Sequence, residues 1–341
     1  MTRQYAEAGV DLEGAEAAKA RIARAVAGTR TPLSVGHVGA FGGMVRIPDG
    51  MRRPTLVLST DGVGTKVLVA LEAGRFDTVG EDLVNHSVND ILVHGATPIA
   101  FMDYIAGSGL GVEQIAGLVE GIARGCRAHE MALAGGETAQ MPGLYRAGTY
   151  DLAGTIIGVV EEDAAIHGDA VRPGDVLLGY ASNGLHTNGY TLARRIVFDR
   201  MGLGVEDRLG ELERSVADVL LDVHRSYYRS VEPVLAHLHG LAHITGGGIP
   251  GNLVRILPAG CEAVVDPGSW ELPPLFSMLQ RAGGISTEEM RDVFNLGVGL
   301  IAVLPPQSVR AAQAAAAADG VATWTMGEIR PGTQVVRFAR P

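Results

Sequence analysis

Cysteine is scarce in this chain, with two among 341 residues. Neither Cys126 nor Cys261 belongs to a C-x-x-C pair, which argues against a disulfide and against a zinc site and indicates a reducing compartment. Cys126 shares a predicted helical face with apolar side chains, so we expect it in a core. The first residues are polar and acidic and do not resemble a secretion signal. These features predict a cytoplasmic location.

Excess basic charge and long apolar runs are also lacking. Lys and Arg number 28 against 38 Asp and Glu, a net charge of -10, which makes nucleic acid and anionic membranes poor partners. No apolar run is long enough to span a bilayer. Hydrophobic residues nevertheless make up 47%, and the length suffices for two domains. We expect mixed α/β structure with a boundary near residues 161–173, which gives domains 1–170 and 171–341.

Glycine, by contrast, is abundant, with 47 residues gathered in short clusters. The most informative cluster follows the apolar run Leu56–Ser59, which predicts a buried strand that ends in Asp61, Gly62, Val63, Gly64, Thr65 and Lys66. Glycines allow backbone N–H groups to approach an anion, a lysine attracts phosphate, and an aspartate can hold the accompanying metal. The spacing is not that of a Walker A loop. A simple turn with a solvated lysine is the alternative.

Further polar clusters follow in the first half. The loop Gly36–Gly43 reads as a flap over a ligand or as a mobile hairpin. A helix over about 78–94 is expected to carry a polar stripe of Asp82, Asn85, His86, Asn89 and Asp90. Asp103 lies inside an apolar strand and needs a partner or a metal. A third strand is expected to end at Gly135-Gly136-Glu137. Asp61, Asp90 and Glu137 are predicted to converge at one rim, where Mg²⁺ would offset their repulsion.

Two loops in the second half have the composition of anion sites. Residues 182–189, with His186, Thr187 and Asn188, precede a helix expected at about Tyr190. Residues 243–248 end in three consecutive glycines before a second helix, with Pro250 in its first turn. An ordinary helix-capping loop is the alternative for the first.

Taken together, these stretches resemble the phosphoribosylformylglycinamidine cyclo-ligase (aminoimidazole ribonucleotide synthetase) family. The matching stretches are Tyr5–Asp11, Thr60–Lys66, Val88–Asp90, His94–Pro98, Gly135–Gly143, Gly184–Tyr190, His243–Gly248 and Phe294–Gly299. They run along nearly the whole chain in order. The wider superfamily, which includes thiamine-monophosphate kinase and selenophosphate synthetase, shares only the acid clusters. His37 departs from a usual glycine, and Asn183 and Thr187 depart from usual serines.

The resemblance implies ATP-dependent closure of formylglycinamidine ribonucleotide to 5-aminoimidazole ribonucleotide in purine biosynthesis, with Mg²⁺ as cofactor. It implies that ATP phosphorylates the formyl oxygen and that a nitrogen of the substrate then attacks that carbon. It also implies a homodimer, in which the N-terminal α/β domain contributes strands to a dimer-spanning β-barrel beside a C-terminal α+β domain.

The resemblance also assigns site residues. Metal ligands would be Asp61, Asp90 and Glu137, with Asp103 as a further acid. The nucleotide would contact Gly39, Phe41, Gly42, Gly43, Asp61, Gly62, Gly64, Thr65, Lys66, Asn89 and Asp90. The substrate phosphate would contact His186, Thr187, Asn188, Thr245, Gly246, Gly247 and Gly248. Lys66, His186 and His243 are the candidates for catalysis, with either histidine moving a proton.

Three rival functions remain open. A small-molecule kinase of the same superfamily would use the same acids and release a phosphorylated product. A selenophosphate synthetase is disfavoured, because the N-terminal loop contains no cysteine. A nucleotide-binding regulator without activity would have lost the metal ligands, which are all present.

Overall fold

The computed structural model describes residues 12–37 and 41–339, with the side chains of residues 12–18 left aside. The chain folds into two compact units. The N-terminal unit contains the described residues up to Ile91 together with Thr97–Glu161, and the C-terminal unit contains Leu92–Ala96 and the residues from Glu162 onward. Both units combine helices with a sheet, so the predicted α/β class is confirmed. The expected helix cap Asp11 and the motif Tyr5–Asp11 lie outside the described residues.

The N-terminal unit is built around one four-stranded sheet, a short hairpin and four helices. Its elements are α1 (Leu12–Ala27), β1 (Ser34–Val35), β2 (Met44–Val45), β3 (Pro54–Gly62), α2 (Lys66–Glu72), α3 (Asp77–Leu92), β4 (Thr97–Gly107), α4 (Val112–Ala128), β5 (Ala132–Gln140) and β6 (Tyr150–Glu161). The strand order is β3-β6-β4-β5, with β4 and β5 parallel and the other neighbours antiparallel.

The two faces of this sheet differ in cover. Phe101, Ile105 and Ile156 point to the helices and are buried. Helix α3 approaches this face closely, because a side chain at Gly154 would collide with Phe101 and Leu83. Side chains of a strand point alternately to its two faces, so Met102 and Tyr104 lie on the opposite face, where each is 41% exposed. Cys126 on α4 is fully buried, as predicted.

Strand β3 contradicts one expectation. Leu56 and Leu58 were expected to be buried, but they are 47% and 63% exposed. The strand is at the sheet edge, and these two side chains point to the face without helices. An apolar run alone cannot distinguish a strand buried on both faces from one that leaves a face uncovered.

Strand β5 contradicts a second expectation. It does not end at the glycines but continues through Gly135 and Gly136 to Gln140. At Gly136 a side chain would collide with the Asp103 carboxylate. The glycine therefore makes room for the acid on the neighbouring strand, instead of forming a turn.

The C-terminal unit surrounds a six-stranded sheet. Its elements are a short 3₁₀ helix (Glu162–Ala164), β7 (Val176–Ala181), α5 (Tyr190–Arg194) with a π-helical continuation (Arg195–Arg200), β8 (Arg208–Leu209), a 3₁₀ helix (Gly210–Leu212), β9 (Arg214–Ser215), α6 (Val216–Leu220), α7 (Tyr228–Val231), a 3₁₀ helix (Glu232–His237), β10 (Gly240–His243), α8 (Gly248–Leu253), a 3₁₀ helix (Val254–Ile256), β11 (Cys261–Val265), α9 (Pro274–Gly283), α10 (Thr287–Val293), β12 (Val298–Leu304), a 3₁₀ helix (Pro306–Ser308), α11 (Val309–Ala318), β13 (Thr323–Pro331) and β14 (Val336–Phe338).

This second sheet is buried on both faces. Its order is β10-β12-β7-β13-β11-β14, and only β11 and β14 are parallel. Leu177 belongs to one apolar cluster and its neighbour Leu178 to another, as do Ile301 and Leu300. Neighbouring residues of a strand point to opposite faces, so each face has its own core. This explains why all seven residues of β12 are buried.

The described part of the chain contains no helix long and apolar enough to cross a membrane. Both cysteines are buried free thiols. The cytoplasmic location stays a prediction.

Candidate active site

The end of β3 and one side of α3 form an acidic cluster in the N-terminal unit. His86 and Asp90 are one helical turn apart on α3, and Asp61 is next to the last residue of β3. The His86 Nε2 atom lies 2.8 Å from Asp61 Oδ2 and 3.5 Å from Asp90 Oδ2. Ser59 donates a hydrogen bond to Asp90 over 3.2 Å. One donor atom from each of Asp61, His86 and Asp90 lies within 4.8 Å of the others, a spacing that suits a cation.

Charge compensation in this cluster falls to His86. Burial alone lowers the pKa of the imidazole, but the hydrogen bond to Asp61 and the charges of Asp90, Asp61 and Asp82 outweigh it. The pKa of His86 is therefore raised above its usual value. The two carboxylates thus favour the protonated form of the His86 ring. Asp61 is half exposed, with 50% of its side chain accessible, so a metal ion can reach it.

Lys66 lies at the first residue of α2, directly after a turn with Gly64 at a φ of 54°. Its side chain is fully buried, and its Nζ atom lies 2.8 Å from Asp82 Oδ2 and 2.9 Å from Asp82 Oδ1. The alternative of a solvated lysine is therefore wrong. The polar stripe on α3 is not solvated either, because Asp82 and Asn89 are fully buried and Asn85 nearly so.

The remaining two predicted acids, Asp103 and Glu137, lie on β4 and β5. Strand β6 separates β3 from β4, and both Asp61 on β3 and Asp103 on β4 pair in register with Gly154 of β6. Burial, followed by the charge of Glu137, raises the pKa of Asp103 to about 7, although a backbone hydrogen bond opposes the shift. Glu137 pairs with Tyr104 on the face without helices. A rim of three acids requires Glu137 to lie beside Asp61 and Asp90. Within one chain the structure does not bring Glu137 there.

The glycine-rich loop joins β1 and β2, which pair as a hairpin. Gly39 lies outside the described residues, whereas Phe41 is fully exposed. Gly43 packs so closely on Ala134 that a side chain would collide with its carbonyl oxygen. Between this hairpin, α1 and the sheet lies a cavity of about 710 Å³, whose lining includes Phe41, Gly42, Gly43, Asp103 and Glu137.

In the C-terminal unit, the first predicted anion loop is held by side-chain hydrogen bonds. His186 has a left-handed backbone with a φ of 62°. Its Nε2 atom lies 3.1 Å from Asn183 Oδ1, and the Asn183 amide nitrogen donates to the Val223 carbonyl. Because the amide orientation is fixed in this way, Asn183 Oδ1 accepts and His186 Nε2 donates. The neutral His186 ring therefore carries its lone pair on Nδ1.

The second predicted loop meets the first. The backbone N–H of Gly246 donates to Asn188 Oδ1 over 3.1 Å. Thr245 is hydrogen-bonded to Asn252 in α8, whose amide also contacts the Gly248 carbonyl. Gly247 and Gly248 have φ values of 92° and 58°, and a side chain at Gly248 would collide with the Arg291 carbonyl. The consecutive glycines are therefore required by backbone geometry and close packing.

Sequence reasoning missed one residue of this region, His224. It is fully buried and contacts Thr187, His186 and His243. Its sequence neighbours are Val223 and Arg225, with no glycine or acid cluster that would single it out. Only the folded arrangement brings it to the two predicted loops.

Comparison with known proteins defines the class of this fold and site. Residues 42–160 match the family described as AIR synthase related protein, N-terminal domain, and residues 172–339 match the corresponding C-terminal domain. The chain is 46% identical to a phosphoribosylformylglycinamidine cyclo-ligase of Sorangium cellulosum, over 96% of each protein. It is also 46% identical to that of Myxococcus xanthus, over 97% of each. The chain therefore belongs to the phosphoribosylformylglycinamidine cyclo-ligase family.

Solved structures of low sequence identity share the fold. A thiamine-monophosphate kinase from Stenotrophomonas maltophilia superposes with a TM-score of 0.70 at 18% identity, over 94% of this chain and 95% of that one. A hydrogenase maturation protein HypE in complex with ATP gives a TM-score of 0.66 at 20% identity, over 92% and 88%. At such identity the likeness concerns the fold alone.

Proposed function

We propose that this chain converts formylglycinamidine ribonucleotide to 5-aminoimidazole ribonucleotide, with ATP split into ADP and phosphate, in purine biosynthesis. The observation that carries this function is 46% identity to cyclo-ligases over nearly the full length. The chain is thus an ATP-dependent ligase that forms a C–N bond.

Asp61 and Asp90 are proposed as ligands of Mg²⁺. The donor set fits this ion, because two carboxylates converge on one spot and one of them is half exposed. When bound, Mg²⁺ would neutralise phosphate charge. Asp103 and Glu137 are proposed as further acids for the same nucleotide. Glu137 would serve it from the cavity beneath the hairpin, together with Phe41, Gly42 and Gly43.

The nucleotide is proposed to bind the N-terminal domain, residues 1–170. One structural neighbour, the hydrogenase maturation protein HypE, was solved in complex with ATP. In this chain the proposed contacts are Gly39, Phe41, Gly42, Gly43, Asp61, Gly62, Gly64, Thr65, Lys66, Asn89 and Asp90. The Lys66 ammonium is paired with Asp82 and has no exposed side-chain surface, so Lys66 would serve the nucleotide by holding the Gly62–Thr65 turn in place.

The substrate phosphate is proposed to bind the C-terminal domain, residues 171–341. Its contacts would be His186, Thr187, Asn188, Thr245, Gly246, Gly247 and Gly248. The hydrogen bond between the Gly246 N–H and Asn188 Oδ1 supports this assignment, because it brings the two loops together.

The reaction places two demands on the protein. The formyl oxygen attacks the γ-phosphorus of ATP, and the bond to the leaving ADP breaks. A nitrogen of the substrate then attacks the activated carbon, and phosphate leaves with the former formyl oxygen. In-line positioning and charge neutralisation serve the first step. The attacking nitrogen must lose a proton in the second, and His186 or His243 is proposed to accept it.

A homodimer is proposed from the uncovered face of the first sheet. Leu56, Leu58, Met102 and Tyr104 expose apolar surface on this one face. A second copy would cover that surface and close the two sheets into a barrel without exposed edges.

The test is a turnover assay with Mg²⁺, ATP and formylglycinamidine ribonucleotide, in which the imidazole product and ADP are followed together. Equal amounts of both products support the proposed reaction. A superfamily kinase is the second candidate, since the fold is that of a thiamine-monophosphate kinase. A phosphorylated product without ring closure would favour it.

A further inference from the structure

His224 lies at the centre of a buried polar group in the C-terminal unit. Its Nδ1 atom is 3.2 Å from Thr187 Oγ1, and its Nε2 atom is 3.2 Å from His243 Nε2. Its ring stacks on His186 with a centroid distance of 4.0 Å and an angle of 22° between planes. His224 is fully buried, and the two loops it joins are the proposed substrate loops.

Proton accounting restricts the states of this group. A neutral imidazole has one N–H and one lone pair, so a single proton lies between His224 Nε2 and His243 Nε2. If His224 donates it, His224 Nδ1 accepts from the Thr187 hydroxyl, and His243 carries its own proton on Nδ1. If His243 donates it, His224 Nδ1 donates to Thr187 Oγ1, and His243 has its lone pair on Nδ1. Both arrangements contain the same three protons, namely the Thr187 hydroxyl proton and one N–H proton on each imidazole ring.

Stacking disfavours the state in which His186 and His224 are both charged. His186 and His224 are in face-to-face contact, so two imidazolium rings there would repel. Asn183 already fixes the proton of neutral His186 on Nε2. With both rings neutral, the direction of the Thr187–His224–His243 chain decides which nitrogen of His243 carries the proton.

We propose that His224 is a positioning residue that fixes which nitrogen of His243 carries the proton, through the hydrogen-bond chain Thr187–His224–His243. The chain links the loop of Thr187 to the end of β10, where His243 is the last residue. The hydrogen bond made by one ring nitrogen of a histidine commonly sets its tautomer.

Under the proposed function, the substrate phosphate selects between the two arrangements. A phosphate oxygen accepts hydrogen bonds only, so Thr187 can donate to the substrate phosphate only when its oxygen accepts from His224 Nδ1. That arrangement leaves the lone pair of His243 on Nδ1. Binding of the phosphate thereby prepares His243 to accept a proton, as ring closure requires.

Three substitutions separate the two contacts of His224. His224→Phe keeps an aromatic ring against His186 and removes both hydrogen bonds. His224→Gln places an amide near the former Nε2 position and His224→Asn near the former Nδ1 position. Tyr227→Phe is the matched control, because Tyr227 is buried beside His186 and donates to the Ala181 carbonyl.

The kinetic expectation is a loss in kcat with little change in the KM for ATP. His224→Phe should lower kcat by about tenfold or more, in line with the contribution of positioned proton transfer. His224→Gln should recover part of this loss and His224→Asn should not, while Tyr227→Phe stays within about twofold of the unaltered protein. A His224→Phe variant with unchanged kcat, or equal recovery by Asn and Gln, would overturn the proposal.

The tautomer can be read without turnover. Nitrogen NMR of ¹⁵N-histidine-labelled full-length protein distinguishes protonated from bare ring nitrogens, with inorganic phosphate as the probe. We expect His243 in the unaltered protein to be protonated on Nε2 when phosphate is bound, and His224→Phe to show a mixture that phosphate does not change. The same tautomer in both proteins would refute the role of His224. Absence of the imidazole product from the unaltered protein would instead refute the proposed function.

Discussion

The ammonium group of Lys66 is buried against the carboxylate of Asp82, with 2.8 Å between Nζ and Oδ2 and no exposed side-chain surface on either residue. The pair joins the start of α2 to α3 and so fixes the turn Gly62–Thr65 relative to the acidic cluster. Buried pairs of this kind are sensitive to the loss of one member, because the other charge then stays in a medium of low polarity.

Lys66→Ala should therefore lower the free energy of unfolding by about 3–5 kcal/mol. Urea unfolding of the variant measures this loss. Lys66→Met combined with Asp82→Leu should recover most of it, since no charge stays behind. Arg124→Ala, which removes the partly exposed ion pairs of Arg124 with Glu81 and Asp77, is the control and should cost at most about 1 kcal/mol. Equal effects of Lys66→Ala and Arg124→Ala would contradict the account of this pair.

The acidic cluster gives a prediction on metal dependence. Asp61→Asn keeps the size of the side chain and removes one of the two carboxylates beside His86. Loss of a residue that only hydrogen-bonds to a metal ligand lowers the affinity for the metal by about 10–100-fold. Loss of the ligand Asp61 itself should lower the affinity for Mg²⁺ by at least that factor. A Mg²⁺ titration of turnover should shift accordingly, whereas the exposed Asp49→Asn should leave it unchanged. An unaltered Mg²⁺ requirement in Asp61→Asn would remove Asp61 from the site.

Asp103 gives a prediction on pH. Its pKa is about 7 in the folded protein and near 3.8 otherwise, so the folded state binds the extra proton between these values. Stability therefore falls as pH rises from about 4 to about 7 and then levels off. Asp103→Asn removes this effect, so it should be the more stable protein at pH 8, by on the order of a few kcal/mol, and similar to the unaltered one near pH 4.

The measurement is urea unfolding of both proteins at several pH values in the presence of EDTA, which keeps metal ions from holding the carboxylate. A difference between the two proteins that does not change with pH would show that Asp103 is ionised in the folded state.

The uncovered sheet face gives a prediction on assembly. Leu58→Asp places a charge on the apolar surface that a second copy would cover. We expect a monomer in light scattering coupled to size-exclusion chromatography, and a dimer for the apolar control Leu58→Met. If the unaltered protein is itself a monomer at micromolar concentration, the barrel proposal is wrong.

Much of the fold follows from sequence pattern. The helix of Cys126 and the helix expected over about 78–94 follow from apolar periodicity, and the structure contains them as α4 and α3. Exposure of Leu58 was not predictable, because an apolar strand looks the same whether a helix or a second chain covers it. Residues near glycine or acid clusters were found by local composition, whereas the place of His224 depends on contacts between distant segments. The register that separates Glu137 from Asp61 is likewise a property of the sheet.

The most direct test of the central claim follows the formyl oxygen. Formylglycinamidine ribonucleotide labelled with ¹⁸O at the formyl group is incubated with the protein, Mg²⁺ and ATP, and the released phosphate is analysed by mass spectrometry. If ATP phosphorylates that oxygen before ring closure, each imidazole formed yields one ADP and one phosphate carrying the label. Unlabelled phosphate, or ADP without the imidazole, would contradict the account.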